Sequence, residues 1–268
     1  MSAGDAHTDS GSQDSGRRLE AVILAAGQGT RMNSDLPKVL HQVADRPMVH
    51  WVADACRGAG ATRLIIVVGY KSELVRDSFA GWDDVEFVEQ TERLGTGHAA
   101  MMAEPAVKNT ADTDLLVMAG DMPLMTGQTL AAVTQAHQKA NAAATIATGR
   151  LADPTGYGRI IRDAGGHFTG IVEQKDATDA QKQIDEVNIS CYCFRADSLF
   201  DGLHKLRPNN AQGEYYITDV PAYLKSLGQT VIADNSVPAD QVEGINNTEE
   251  LAALDAKLRA KLAGSHSQ

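Results

Sequence analysis

The 268-residue sequence has no excess of positive charge: 24 Lys and Arg face 35 Asp and Glu, a formal net charge of -11. General affinity for nucleic acid or for an anionic membrane surface is thereby excluded, because nothing is left over to neutralise phosphates. A polyanionic ligand has to be held by a local cluster. Long apolar runs are also missing. The strongest, "LIIVV" at residues 64–68, falls far short of a membrane span. Residues 1–18, "MSAGDAHTDSGSQDSGRR", contain no apolar stretch of the secretory type, so they are expected to be a disordered tail and the protein to be cytoplasmic.

Cysteine is scarce and odd in number. Cys56, Cys191 and Cys193 offer no second pair and no neighbouring histidines to complete a zinc site. The Cys191-x-Cys193 spacing puts both thiols on one face of a strand, where packing is the expected role. No internal repeat is present. In particular, no hexapeptide series of the β-helix type occurs.

What remains is an ordinary globular composition, 43% hydrophobic and 22% charged, long enough for one large or two small domains. Strand-like runs at residues 21–26, 64–68, 85–88 and 115–118 alternate with helix-like segments, which predicts a βα-wound, largely parallel sheet. Residues 47–57 carry Met48, Val49, Val52, Ala53 and Cys56 at helical spacing. A second helix is predicted at 126–140, with Leu130, Val133 and Ala136 or His137 inward. After about residue 150 short strand candidates recur in "YGRIIRD", "HFTGIVE" and "EVNISCYCF", and they predict an extension of the sheet into a second lobe. Residues 248–262 read as an amphipathic terminal helix with Thr248 as N-cap. The expected organisation is a tail at 1–18, a folded unit at 19–262 and a short tail at 263–268.

The loop "LAAGQGTRMNSDLPK" at residues 24–38 follows the first apolar run. A dinucleotide fingerprint needs a third glycine where Met32 stands, and a Walker loop needs a terminal Gly-Lys-Ser/Thr that is absent. Two glycines with Arg31 and Lys38 still suit a polyphosphate, since glycine lets backbone N–H groups come close and the cations supply charge. Read alone, the loop is equally open to being a tight turn with surface cations.

Six further blocks follow in order: "TERLGTGHA" at 91–99, "AGDMPL" at 119–124, "DPTGYGRI" at 153–160, "IVEQKDAT" at 171–178, "NNAQGEYYITD" at 209–219 and "VEGINN" at 242–247. Together with the loop they resemble the sugar-phosphate nucleotidyltransferase family across roughly residues 20–262, and most of all its branch that uses UTP and N-acetylglucosamine-1-phosphate. The resemblance implies an α/β, Rossmann-like nucleotide-diphospho-sugar transferase fold, with a mostly parallel central sheet and an added sugar-binding lobe. It implies attack by a sugar-1-phosphate oxygen on the α-phosphorus of UTP, with these two small-molecule substrates as partners and neither nucleic acid nor membrane. It assigns Arg31 and Lys38 to catalysis; Leu24, Ala25, Ala26, Gly27, Gln90, Gly95 and Thr96 to the nucleotide; Gly158, Glu173 and Asn188 to the sugar; and Asp121 with Asn246 to Mg²⁺. Tyr157 and Arg159 would stand close to the sugar. Thr96 is open to a second role as helix N-cap, and Asn247 to replacing Asn246 as ligand. In "EVNISCYCF", Ile189 and Ser190 depart from the Asn-Thr-Gly or Asn-Ser-Gly usual in relatives, and Ala119 stands where a relative can carry a larger polar residue. Another sugar or base, or a non-catalytic nucleotide-sugar sensor, are the competing readings. The histidines have no expected catalytic role.

Overall fold

The computed structural model describes residues 16–245 and 247–265; the remainder of the expected tails, and Asn246, lie outside the described residues. In chain order the elements are β1 (Arg18–Leu24), the short hairpin β2 (Gln42–Val43) and β3 (Arg46–Pro47), α1 (Met48–Gly58), β4 (Leu64–Val68), α2 (Ser72–Ser78), β5 (Val85–Glu89), α3 (Thr96–Met101), β6 (Thr113–Ala119) and α4 (Gly127–Lys139). The later part adds β7 (Ala144–Arg150), β8 (Gly158–Arg162), β9 (Phe168–Val172), α5 (Asp179–Lys182), β10 (Glu186–Arg195), α6 (Ala196–Leu203), α7 (Asp219–Ser226), β11 (Val231–Asp234) and α8 (Thr248–Ser265).

Nine strands form one sheet whose main path runs β11-β7-β10-β6-β1-β4-β5, with the β8–β9 hairpin branching from β10. The ladders β1/β4, β1/β6, β4/β5 and β7/β11 are parallel, and β10 is antiparallel to its neighbours. Strict alternation in the sequence explains the layering. Ala21, Ile23, Leu64, Ile66, Leu116 and Met118 feed one buried cluster, whereas Val22, Ile65, Val67, Leu115 and Val117 feed another on the opposite face. Cys191 and Cys193 share a face, as their spacing predicts. Both are buried, and burial pushes both thiols up.

β1 lies between β4 and β6, so the strand order reverses there and a crevice opens at the carboxyl ends of β1 and β6. The glycine-rich loop leaves β1 at that point, and β6 delivers Asp121 beside it. The folded unit begins earlier than the expected boundary. Arg18 starts β1, and Arg17 Nε donates to Asp114 Oδ1 at 2.7 Å.

The terminal helix is capped one residue earlier than expected. Asn247 Oδ1 accepts from Glu250 N at 2.8 Å, so Asn247 caps α8 and Thr248 is its first helical residue. Leu254 and Leu258 enter a third cluster with Met32, Val43, Met48, Leu124 and Ile245, and Leu251 and Leu262 extend it. α8 also grips the β2–β3 turn, where Asp255 accepts from Ala44 N at 2.7 Å and Arg259 donates twice to Asp45 at 2.8 Å. Met32 belongs to the glycine-rich loop, so α8 supports that loop from behind. Leu254→Ala, at a position 2% exposed, is expected to cost about 2–4 kcal/mol in urea denaturation. The cavity should also loosen the packing of Met32 and with it the glycine-rich loop.

Candidate active site

Gly29 has φ +69, and a Cβ there would lie 2.6 Å from Lys38 Cβ. Glycine is therefore required twice over, once for the left-handed backbone and once for the closeness of the returning segment. That approach carries Lys38 to Asp121: Lys38 Nζ and Asp121 Oδ2 are 2.5 Å apart. A Cβ on Gly120 would meet Leu24 O at 3.1 Å, and Gly120 N donates to the same carbonyl at 3.0 Å. The small residue before Asp121 thus lets β6 and β1 end side by side.

Two cavities meet at this pair. One, of about 310 Å³, is lined by Leu24, Ala26, Gly27, Lys38, Gln90, Arg93, Gly95, Thr96, Ala119, Asp121 and Glu214, among others. The other, of about 400 Å³, is lined by Arg31, Asp121, Tyr157, Gly158, Glu173, Asn188, Ser190, Gly244 and Glu250, among others. Asp121 faces both. Of the residues assigned to the nucleotide, only Ala25 is absent from the first cavity: its side chain is buried in the core and its N–H donates to Val67 O at 2.8 Å. Arg31 lines the second cavity and Lys38 the first, so the two cations stand on either side of the junction.

Gln90 is oriented by its neighbours. Its Nε2 lies 3.1 Å from Gly95 O, which can only accept, and 3.1 Å from His98 Nδ1. Both amide protons are used in this way, and the Oε1 acceptor is left for a ligand. His98 consequently acts as an acceptor at Nδ1 and has a structural task. Thr96 is not an N-cap: Gly95 holds that position at φ +102, and the Thr96 hydroxyl accepts from Ile217 N at 3.2 Å. Cβ atoms on Gly95 and Gly97 would meet Tyr215 O at 2.6 and 2.9 Å. The segment at 209–219 lies against the "GTG" turn and brings Glu214 into the first cavity. Arg93 and Glu214 had no assigned role. Their only signal in the sequence was membership of the blocks "TERLGTGHA" and "NNAQGEYYITD".

The second cavity is assembled by strand register. Gly158 pairs with Asn188 across β8 and β10, and Arg159 pairs with Val172 across β8 and β9, so Glu173 falls opposite Gly158. A Cβ on Gly158 would sit 3.4 Å from both Glu173 carboxylate oxygens. Asn188 Nδ2 donates to Tyr192 OH at 2.8 Å. Tyr157 OH accepts from Gly244 N at 3.3 Å, and Ile245 N donates to Asp121 O at 3.3 Å. The "VEGINN" segment is thereby held against Asp121, with Asn246 itself outside the described residues and Asn247 committed to its cap. Arg159 is 1% exposed and holds the Tyr157 and Lys182 carbonyls, so it lies behind the cavity rather than in it.

Burial pushes the Glu173 carboxyl above its ordinary value of 4.5, against a hydrogen bond from Thr218 that pulls it down. A raised folded-state value means that ionised Glu173 costs stability. The cost is absent below the unfolded value and complete once pH exceeds the folded one. Glu173→Gln is therefore expected to be more stable than wild type at pH 7 and to lose that advantage below pH 4.5, as read by denaturation at both pH values.

The profile of the MobA-like NTP transferase domain matches residues 21–187. The "Bifunctional protein GlmU" of Heliobacterium modesticaldum is 46% identical over 242 residues, covering 90% of this chain and 52% of that protein. Those of Pelobacter propionicus and of Streptococcus agalactiae serotype V are 43% and 45% identical, covering 91% and 92% of this chain and 53% of each relative. The chain spans about half the length of these curated relatives. A crystal structure of UDP-glucose pyrophosphorylase complexed with UDP-glucose superimposes with a TM-score of 0.73 at 19% identity, covering 91% of this chain and 99% of that one, and shares its fold. The chain belongs to the MobA-like NTP transferase domain family.

Proposed function

We propose that the protein transfers a uridylyl group from UTP to N-acetylglucosamine-1-phosphate, forming UDP-N-acetylglucosamine and pyrophosphate. The observation that carries this reading is the meeting of two cavities at Asp121, with Lys38 on one side and Arg31 on the other. The resemblance of the seven sequence blocks to the branch that uses UTP and N-acetylglucosamine-1-phosphate favours these substrates over other pairs. The reaction forms a bond from the sugar-phosphate oxygen to the α-phosphorus and breaks the bond from that phosphorus to the β-phosphate oxygen. The attacking oxygen is already anionic, so no general base is required. Catalysis then consists of alignment and charge neutralisation.

Backbone from Leu24 to Gly27 and the Gln90 amide acceptor would read the base and ribose in the first cavity. Glu173 and Asn188 would hold sugar hydroxyls and the acyl amide in the second. Arg31 and Lys38 would draw the two phosphates together against their repulsion. The donors suit a hard divalent cation such as Mg²⁺: Asp121 already binds one positive group, the Lys38 ammonium, and the "VEGINN" segment lies against it. Among the described residues no group of three His, Cys, Asp or Glu side chains could hold a metal ion. Substrate phosphates would have to complete the coordination, as suits Mg²⁺. Bound at Asp121 and Asn246, the cation would neutralise phosphate charge. No helix among the described residues is long and apolar enough to cross a membrane, and a cytoplasmic setting fits small phosphorylated substrates.

Pyrophosphate release with UTP, N-acetylglucosamine-1-phosphate and Mg²⁺ tests the reading, with glucose-1-phosphate alongside. Activity should vanish with chelator, and kcat/KM should favour the N-acetylated sugar. Asp121→Ala should lower kcat about a hundredfold or more. Near wild-type turnover in that variant would remove the metal assignment. Tight binding of UDP-N-acetylglucosamine without any turnover would instead favour a nucleotide-sugar sensor.

A further inference from the structure

Six residues other than glycine have left-handed backbone among those described: Asn33, Ala44, Asp45, Lys71, Asn141 and Ser190. Five have a local reason. Asn33 and Asn141 follow helical turns, Ala44 and Asp45 are the two-residue turn between β2 and β3, and Lys71 precedes α2. Ser190, at φ +54, lies inside a strand of the central sheet. A left-handed residue with a side chain costs on the order of 1 kcal/mol, and such strain persists where surrounding structure imposes it.

The sheet imposes it through a bulge. Pairing of β10 with β7 jumps from Asn188↔Thr148 to Tyr192↔Ile146, so four steps on β10 answer two on β7. Ser190 is exposed while Val187 to Ile189 and Cys191 to Phe194 are buried. Bulges of this kind re-aim one side chain, and here the re-aimed residue lines the same cavity as Glu173 and Asn188.

The surrounding hydrogen bonds decide what Ser190 has to offer. Ser190 N donates to Asn188 Oδ1 at 3.3 Å, and Asn188 Nδ2 donates to Tyr192 OH at 2.8 Å. Tyr192, 1% exposed, then has its own O–H to place, and the Ser190 side chain stands beside its phenol. A hydrogen bond donated by the Tyr192 O–H to Ser190 Oγ would leave the serine O–H as the free donor. Glu173, by contrast, can only accept when ionised.

From this we infer that Ser190 is a sugar-contacting residue, whose hydroxyl donates to an oxygen substituent of the sugar-1-phosphate while Glu173 accepts from its hydroxyls. The inference rests on the proposed reaction. Glycine at this position would remove both the strain and the donor, whereas alanine removes the donor alone.

The test is steady-state kinetics of wild type, Ser190→Ala and Ser190→Gly. N-acetylglucosamine-1-phosphate and glucose-1-phosphate are varied at saturating UTP, and UTP is varied at saturating sugar. Both variants should raise the sugar KM about five- to tenfold while the KM for UTP stays within about twofold. Water in the open cavity can take the Tyr192 proton, so Ser190→Gly should melt at or above the wild-type temperature. An unchanged sugar KM in both variants of an active enzyme overturns the inference and leaves the proposed function standing. Equal losses for both substrates would assign Ser190 a purely structural role and overturn it as well. A wild type inactive with UTP and either sugar removes both readings.

Discussion

The Lys38–Asp121 ion pair is the contact on which the site depends, because it joins the returning glycine-rich loop to the end of β6 across the point where strand order reverses. Its side chains are 17% and 21% exposed, so water screens it only partly. Its net contribution to stability is nonetheless modest, since partial desolvation of both charges offsets their attraction. The larger consequence is positional. Two opposite charges held together at the junction of two cavities give an arriving polyphosphate a cation and an arriving cation a carboxylate.

Much of the frame was legible because it rests on periodicity. The run "LIIVV" is β4 residue for residue, and alternation in β1 and β6 sorts their side chains between the two faces of the sheet. Helices α1 and α4 follow the 3.6-residue spacing to within a residue or so, and Thr126 caps α4 through Thr129 N. Cap choice at α8 was less legible. Asn247 and Thr248 are both competent caps, and Asn247 is selected by its reciprocal bond with Glu250, a contact three residues away. The Thr96 hydroxyl likewise accepts from the N–H of Ile217, more than a hundred residues distant, which no local pattern could disclose.

The antiparallel course of β10 and its bulge were illegible for a related reason. Pairing partners are set by topology, and an apolar run reads alike in either direction. The departure at Ile189 and Ser190 was visible as a difference of residue type, but its physical content depends on register with β7 and on the left-handed backbone at Ser190. Ile189 joins the buried core at 2% exposure and also lines the second cavity, whereas Ser190 beside it is exposed.

The two cavities also differ in what builds them. The first is walled largely by small residues and by backbone brought close through Gly29, Gly95, Gly97 and Gly120, where an added Cβ would strike a neighbouring residue. Steric necessity restricts such positions to a few residue types, and restriction of that kind leaves a motif that can be read from sequence. The second cavity relies on the side chains of Glu173, Asn188, Tyr157 and Ser190, placed by strand register rather than by close approach. A side chain there can be exchanged without moving the sheet, because Ser190 is exposed and its strand neighbours carry the packing. The fold thus separates two requirements. The first cavity tolerates little change, whereas the second can alter its hydrogen-bonding groups one at a time without disturbing the Lys38–Asp121 junction.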